Sequence, residues 1–230
     1  MTDSILPAIE METRQPVRAS VIWLHGLGAD GEDFVPIADE LELPVAVRYI
    51  FPHAPMRPVT INGGYVMRAW YDILVGAASA ELSASIGKNE DAAGIIAAQA
   101  DIEKLIAQER QRGIAAKDIF LAGFSQGGAV ALYTGLRHQE VLGGILALSS
   151  YLPLAGTTSA EASGPAKNTP IFMAHGCDDP VIPYGLGKAS AEELLQRGYT
   201  LAWHEYVMPH SVCPEELRDI EQWLVRRLSA

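Results

Sequence analysis

Residues 118–129 read DIFLAGFSQGGA. A short apolar run, 118–122, leads into Gly123-Phe124-Ser125-Gln126-Gly127, and small residues follow. This is G-x-S-x-G in the setting the motif needs: a strand, a sharp turn, then a helix. A serine at the tip of such a turn is forced into an unfavourable backbone conformation, and bulky residues two positions to either side would collide. Gly123 and Gly127 remove those side chains, and Gly128 and Ala129 let the following helix pack closely. The turn lifts the Ser125 hydroxyl clear of the sheet, where it can act as a nucleophile. A purely structural Gly-Ser turn would explain the five residues, but not the strand before them and the small-residue helix after them.

Outward from this turn, strands alternate with helices. Residues 17–24 (VRASVIWL) and 45–51 (VAVRYIF) are apolar, β-branched-rich runs that predict buried strands. Between them a helix is expected over 31–41, with an acidic first turn and Pro44 as its stop. The amphipathic stretch 89–112 predicts a helix ended by Gly113. After the serine turn the pattern predicts a helix over 126–138, a strand over 141–148 and a polar loop over 155–168. A strand over 170–174, a helix over 185–197, a strand over 199–207 and a helix over 214–228 complete it. Residues 52–88 break the rhythm. They form a long, lid-like segment whose Tyr65, Trp70 and Tyr71 suit packing, and whose small apolar stretch 74–87 suits a mobile rim. Residues 1–16 read as a lead-in. The alternation predicts an α/β fold, a mainly parallel central sheet with helices on both faces. A chain of 230 residues without repeat or linker predicts a single domain over 1–230.

A serine hydroxyl is a weak nucleophile at neutral pH. It needs a base, and the base needs an acid to orient it. In α/β-hydrolases these follow in the order Ser, Asp, His, in loops after later strands. The run 170–174 leads into His175-Gly-Cys-Asp178-Asp179-Pro, and 199–207 leads into Met208-Pro209-His210. Both loops stand at the carboxyl ends of predicted strands, where open α/β sheets place their sites. Spacing alone does not separate Asp178 from Asp179. His175 precedes the acid, the wrong order for the base, so it is expected to make a structural hydrogen bond in its turn; His210 is the candidate base.

The stretch 21–34, VIWLHGLGADGEDF, contains Gly26-x-Gly28-x-x-Gly31, the spacing of a dinucleotide-binding turn. That reading wants an acidic residue at the end of the next strand, and 45–51 runs into Phe51-Pro52-His53 instead. The alternative use of a glycine-rich loop here is an oxyanion hole. One donor is the backbone N–H after the nucleophile, that of Gln126, and the other comes from the loop after an early strand, here the N–H of Leu27. A metal held by His25, His175 and His210 is not expected, since no two have close ligand spacing.

The net charge of −11 repels phosphate backbones and anionic headgroups, so nucleic acid is not an expected partner. There is no run of about eighteen uninterrupted apolar residues, so stable membrane insertion is not expected. The first residues lack a basic segment followed by an apolar one, which speaks against a secretory signal. Cys177 and Cys213 have no C-x-x-C spacing and read as free thiols, in keeping with a cytoplasmic protein.

The blocks LHGLGADGEDF (24–34), FPHAPMRPVTINGG (51–64), WYDI (70–73), GFSQGGAVALYTGL (123–136), LALSSYLPL (146–154), HGCDDPVIP (175–183) and VMPHSVCPEE (207–216) together resemble the phospholipase/carboxylesterase family of α/β-hydrolases. The resemblance runs from about residue 17 to the C-terminus. It implies Ser125 as nucleophile, His210 as base and Asp179 as acid. Asp179 rather than Asp178 is implied because the acid stands four residues after the histidine of the HG turn and just before the proline. It also implies Leu27 and Gln126 as oxyanion donors, and acyl contacts at Leu74 and Val75 after WYDI and near Tyr151 and Val181. Neither a metal nor an organic cofactor is implied. The implied activity is a serine carboxylesterase acting on a small-molecule ester with a short-to-medium acyl chain, through an acyl-enzyme. Acyl-protein thioesterases and lysophospholipases of the same family define the alternative, a longer acyl chain held as thioester or ester. An apolar rim over 74–86 would suit that alternative and would also support a homodimer.

Overall fold

The computed structural model describes residues 4–74 and 86–229. Val75, and the greater part of the rim expected over 74–87, lie outside the described residues.

Seven strands form one sheet in the order β1-β3-β2-β6-β7-β8-β9. They are β1 (Ala8–Glu12), β2 (Ala19–Leu24), β3 (Val47–Pro52), β6 (Ile119–Phe124), β7 (Gly144–Leu148), β8 (Ile171–Gly176) and β9 (Leu201–Tyr206). All neighbours are parallel except β1, which pairs antiparallel with β3 from Ala8↔Pro52 to Glu12↔Arg48. The central strands are buried on both faces, so their side chains divide by alternation. Ile22, Leu24, Ile119, Leu121, Ile145 and Ala147 pack on one face. Val21, Trp23, Phe120, Ala122, Leu146 and Leu148 pack on the other. The first face is covered by α2 (Ala92–Gln111), α3 (Gln126–Gly135) and α5 (Tyr184–Gln196). The second is covered by α1 (Ile37–Glu40) and α6 (Pro214–Leu228). This is the α/β-hydrolase architecture.

Four expectations change. The helix expected over 31–41 is two pieces, a 3-10 turn at Gly31–Phe34 capped by Asp30 and the short α1, because Pro36 has no N–H to continue the helix. The polar loop expected over 155–168 contains α4 (Ala155–Glu161) and a 3-10 turn at Pro165–Asn168. Arg137 holds α4 from below, donating to Glu161 at 2.7 Å and to Thr157 at 3.0 Å, a tertiary anchor that local propensity does not reveal. The lead-in at 1–16 contains the edge strand β1, fastened by the Arg48–Glu12 ion pair at 2.8 Å. The segment 52–88 contains an antiparallel hairpin, β4 (Met56–Val59) and β5 (Tyr65–Arg68).

Parallel pairing has one consequence for chemistry. The carboxyl ends of β2, β6, β8 and β9 fall on one edge of the sheet, and the loops carrying His25, Ser125, Asp179 and His210 leave from it.

Candidate active site

Ser125 sits between β6 and α3 with φ 55° and ψ −120°, a strained conformation for a residue with a side chain. A Cβ on Gly123 would lie 2.4 Å from the Gly127 carbonyl, and one on Gly127 would lie 2.3 Å from the Leu24 carbonyl oxygen. Neither position admits a side chain, as the motif requires. The turn is pinned by the Ser125 N–H donating to the Leu148 carbonyl at 2.9 Å. The Ser150 hydroxyl donates to the Ser125 carbonyl at 2.8 Å.

Asp179 and His210 meet across two loops. His210 Nδ1 lies 2.7 Å from Asp179 Oδ2. The other carboxylate oxygen accepts the backbone N–H groups of Val181 at 2.8 Å and Ile182 at 2.9 Å. Burial works against the charged form of Asp179, but the His210 hydrogen bond and charge and the two N–H groups outweigh it. The carboxyl is held below its ordinary value. Asp178, the competing acid in the sequence, is exposed. His175 is fully buried and donates from Nε2 to the Ile182 carbonyl at 2.9 Å, so it shapes the Asp179 turn from behind. Burial lowers its pKa. The His210 ring packs 4.6 Å from the Phe124 ring, which leads through Phe34 to Trp23 in the core.

Ser125 and His210 line one cavity of about 320 Å³, with Leu27 and Gln126. Gln126 is the first residue of α3, so its N–H has no intrahelical acceptor. The Leu27 loop is held open by neighbours. The His25 imidazole bonds the Gly26 carbonyl through Nδ1 at 2.7 Å and accepts the Ala54 N–H on Nε2 at 3.1 Å. The Gly28 N–H donates to the Arg68 carbonyl at 2.9 Å, and Trp70 Nε1 donates to the His25 carbonyl at 2.8 Å.

The remaining cavity wall is mostly apolar. Tyr151 and Val181 line it, as the resemblance implies, and Tyr71, Ile73, Ile86, Phe124 and Ile182 join them. The Tyr71 and Tyr151 hydroxyls are 2.9 Å apart, and burial raises both phenol pKa values. Leu74 is a correction. It lies in a neighbouring surface depression with Thr60, Lys88 and Leu154, not in the Ser125 cavity. Ile73, bridged to Glu90, takes the cavity side, and successive residues of extended backbone face opposite ways. Ile73 and Ile86 stand on either side of residues 75–85 in the sequence; their apolar character was the available signal, but only the fold brings them together at the cavity.

Known proteins are similar to this chain over most of its length. Acyl-protein thioesterase 1 of Neurospora crassa is 42% identical over 230 residues, covering 97% of this chain and 91% of the relative. Carboxylesterase SOBER1 of Arabidopsis thaliana is 35% identical, covering 92% of this chain and 91% of the relative. The crystal structure of SOBER1 superposes with a TM-score of 0.84 at 34% identity, over 92% of this chain and 100% of that one. A Bacillus cereus carboxylesterase structure, 15% identical, shares the fold at a TM-score of 0.77 over 98% of this chain and 96% of its own. Residues 7–227 match the Phospholipase/Carboxylesterase family, and the chain belongs to it.

Proposed function

We propose that the protein is a serine hydrolase that cleaves carboxylic esters of short-to-medium acyl chains through an acyl-enzyme. The observation that carries this reading is a single cavity. It gathers a strained serine, a histidine backed by a buried carboxylate, and two candidate backbone donors against apolar walls.

In this mechanism Asp179 holds the His210 imidazole with its other ring nitrogen toward Ser125. His210 takes the Ser125 proton as the oxygen attacks the carbonyl carbon. The Leu27 and Gln126 N–H groups bind the oxyanion. His210 then passes the proton to the leaving alkoxide or thiolate, and the acyl group stays on Ser125. Water attacks that ester by the same route, releasing the acid and restoring the serine. Ser125 and His210 line the same cavity, and catalytic contacts of this kind commonly tighten as substrate binds.

A second reading has its own support: several relatives are named acyl-protein thioesterases, which favours a longer acyl chain held as a thioester. The proposal also includes a small-molecule substrate, a cytoplasmic location, in keeping with free Cys177 and Cys213, and a homodimer, to be tested by sedimentation. No helix among the described residues is long and apolar enough to cross a membrane.

The test is hydrolysis of a matched acyl series, as oxygen esters and as thioesters, by the protein and its Ser125→Ala variant. Turnover that disappears in the variant supports the nucleophile, and the best chain length decides between the two readings. No turnover of any member by the wild type would overturn both.

A further inference from the structure

The cavity beside Ser125 holds polar side chains that the proposed chemistry uses and two that it does not. Ser125 and His210 are the reacting pair, the Gln126 amide is committed to Trp70 and Tyr71, and Asp33 is exposed. Tyr71 and Tyr151 remain. They are 3% and 4% exposed, and they line the cavity with Ile73, Ile86, Val181 and Ile182. Their hydroxyls lie 2.9 Å apart, and one hydrogen bond joins them. Two phenols carry two protons, and that bond takes one. The second proton has no acceptor among the described residues. Glu90 is the acidic group that acts on both phenols, yet one of its oxygens takes the Leu154 N–H at 2.9 Å and the other has no partner. A buried O–H left without an acceptor is costly, and a ligand oxygen placed beside it removes that cost.

Both tyrosines are tied to the serine turn. The Tyr71 carbonyl accepts from Gln126 Nε2 at 2.8 Å. Ser150, the residue before Tyr151, donates its hydroxyl to the Ser125 carbonyl at 2.8 Å. Leu152, the residue after it, donates its N–H to the Ser190 hydroxyl on α5 at 2.9 Å. The phenol pair therefore stands at a fixed place relative to Ser125. An acyl chain attached to that serine meets the pair at one carbon and not at others.

We propose that Tyr71 and Tyr151 form an oxygen-binding point in the acyl cavity, and that the preferred acyl chain carries a keto or hydroxyl oxygen at the carbon that reaches them. The inference rests on the ester-hydrolase reading above and narrows its substrate class. An oxygen at that carbon accepts the spare phenol proton, which a plain chain leaves unpaired. An oxygen at another carbon is set against the isoleucine and valine side chains and gives up its water without replacement.

The experiment compares ethyl hexanoate with its mono-oxo isomers, the keto group moved one carbon at a time along the chain. The proteins are the wild type and the double variant Tyr71→Phe/Tyr151→Phe, because each single variant still leaves one phenol proton free. The readout is kcat/KM of each oxo ester relative to the plain ester. The keto group's effect on the ester's own reactivity is common to both proteins and cancels between them. For one isomer that ratio should be roughly threefold to tenfold higher in the wild type than in the double variant, and for the others the two proteins should agree. Ratios that agree, or differ equally, at every position would overturn the inference. A second measurement needs no turnover: the infrared C=O stretch of the isotopically labelled keto group, bound to Ser125→Ala. The expected result is a band at lower frequency than in hexane for that same isomer alone; no shifted band, or no binding, overturns the inference. If the wild type hydrolyses no ester, the hydrolase reading fails and the infrared band alone decides the oxygen-binding point. It decides likewise if the double variant folds poorly.

Discussion

The side chain of Gln126 accepts the backbone N–H of Trp70 on Oε1 at 2.8 Å, and the same amide donates from Nε2 to the Tyr71 carbonyl at 2.8 Å. The residue after the candidate nucleophile therefore has two duties. Its backbone N–H stands at the proposed oxyanion site, and its side chain fixes the wall segment that carries Tyr71 and Ile73. Trp70 closes the circuit by donating to the His25 carbonyl, so one segment braces both loops of the proposed oxyanion site.

Gln126→Ala keeps the backbone donor and removes the brace. It leaves a buried N–H and a buried carbonyl unpaired, each costing about 1–3 kcal/mol. The expected result is a lower urea midpoint, a raised KM and a blurred chain-length preference, with kcat affected least. A kcat loss as large as that of Ser125→Ala would contradict this division of labour.

Ser125→Ala and Ser125→Gly both remove the hydroxyl and should each lower kcat by a factor on the order of 10⁶. They should differ in stability. Alanine keeps the strain at φ 55°, whereas glycine releases much of a cost of about 1–3 kcal/mol. The glycine variant is expected to melt higher than the alanine variant; equal melting temperatures would mean the turn is unstrained.

Asp179→Asn keeps the size of the acid and removes its charge. The His210 imidazole then loses the partner that selects its tautomer, and kcat should fall by about 10⁴. Because the folded state holds Asp179 below its ordinary value, its contribution to stability is present above that ordinary value and is lost as pH falls through the folded one. The gap in unfolding free energy between wild type and variant should therefore narrow on acidification. A gap constant from neutral pH to about pH 3 would show that the pairing does not depend on charge.

Much of the fold was legible in the sequence because the deciding signals are local. The elbow needs only a strand, two glycines around a serine and a small-residue helix, all within a dozen positions. What was not legible depends on partners far along the chain. Gln126 reaches Trp70 across 56 positions, and Arg137 holds α4 through Thr157 and Glu161. Asp178 and Asp179 are equivalent by spacing, and only the turn of β8 decides which faces His210. Leu74 was drawn into the cavity by its adjacency to WYDI, where the alternation of extended backbone gives that place to Ile73. The half-exposed edge strand β1 has too short an apolar pattern to stand out.

His25 supports the last prediction. It is 1% exposed, and both ring nitrogens are committed: Nδ1–H donates to the Gly26 carbonyl and Nε2 accepts the Ala54 N–H. Only the neutral imidazole can do both, and burial lowers its pKa accordingly. The sign follows. Above the ordinary value of 6.5 both folded and unfolded states are neutral at this residue, and stability is full. Below it the unfolded chain takes up a proton that the folded one refuses, so stability falls as pH falls toward the depressed folded value. The slope from one such group is at most about 1.4 kcal/mol per pH unit. His175, also lowered by burial, adds a second. His25→Gln should remove the share of the slope between about pH 6.5 and pH 5 that comes from His25, while leaving the slope from His175. It should also lower kcat, because the Gly26–Gly28 loop loses its brace; removal of a whole oxyanion donor costs about 10²–10³, and a displaced one should cost less. Urea titrations at three pH values would check the first outcome, and an unchanged slope in His25→Gln would show that His25 takes its proton without unfolding.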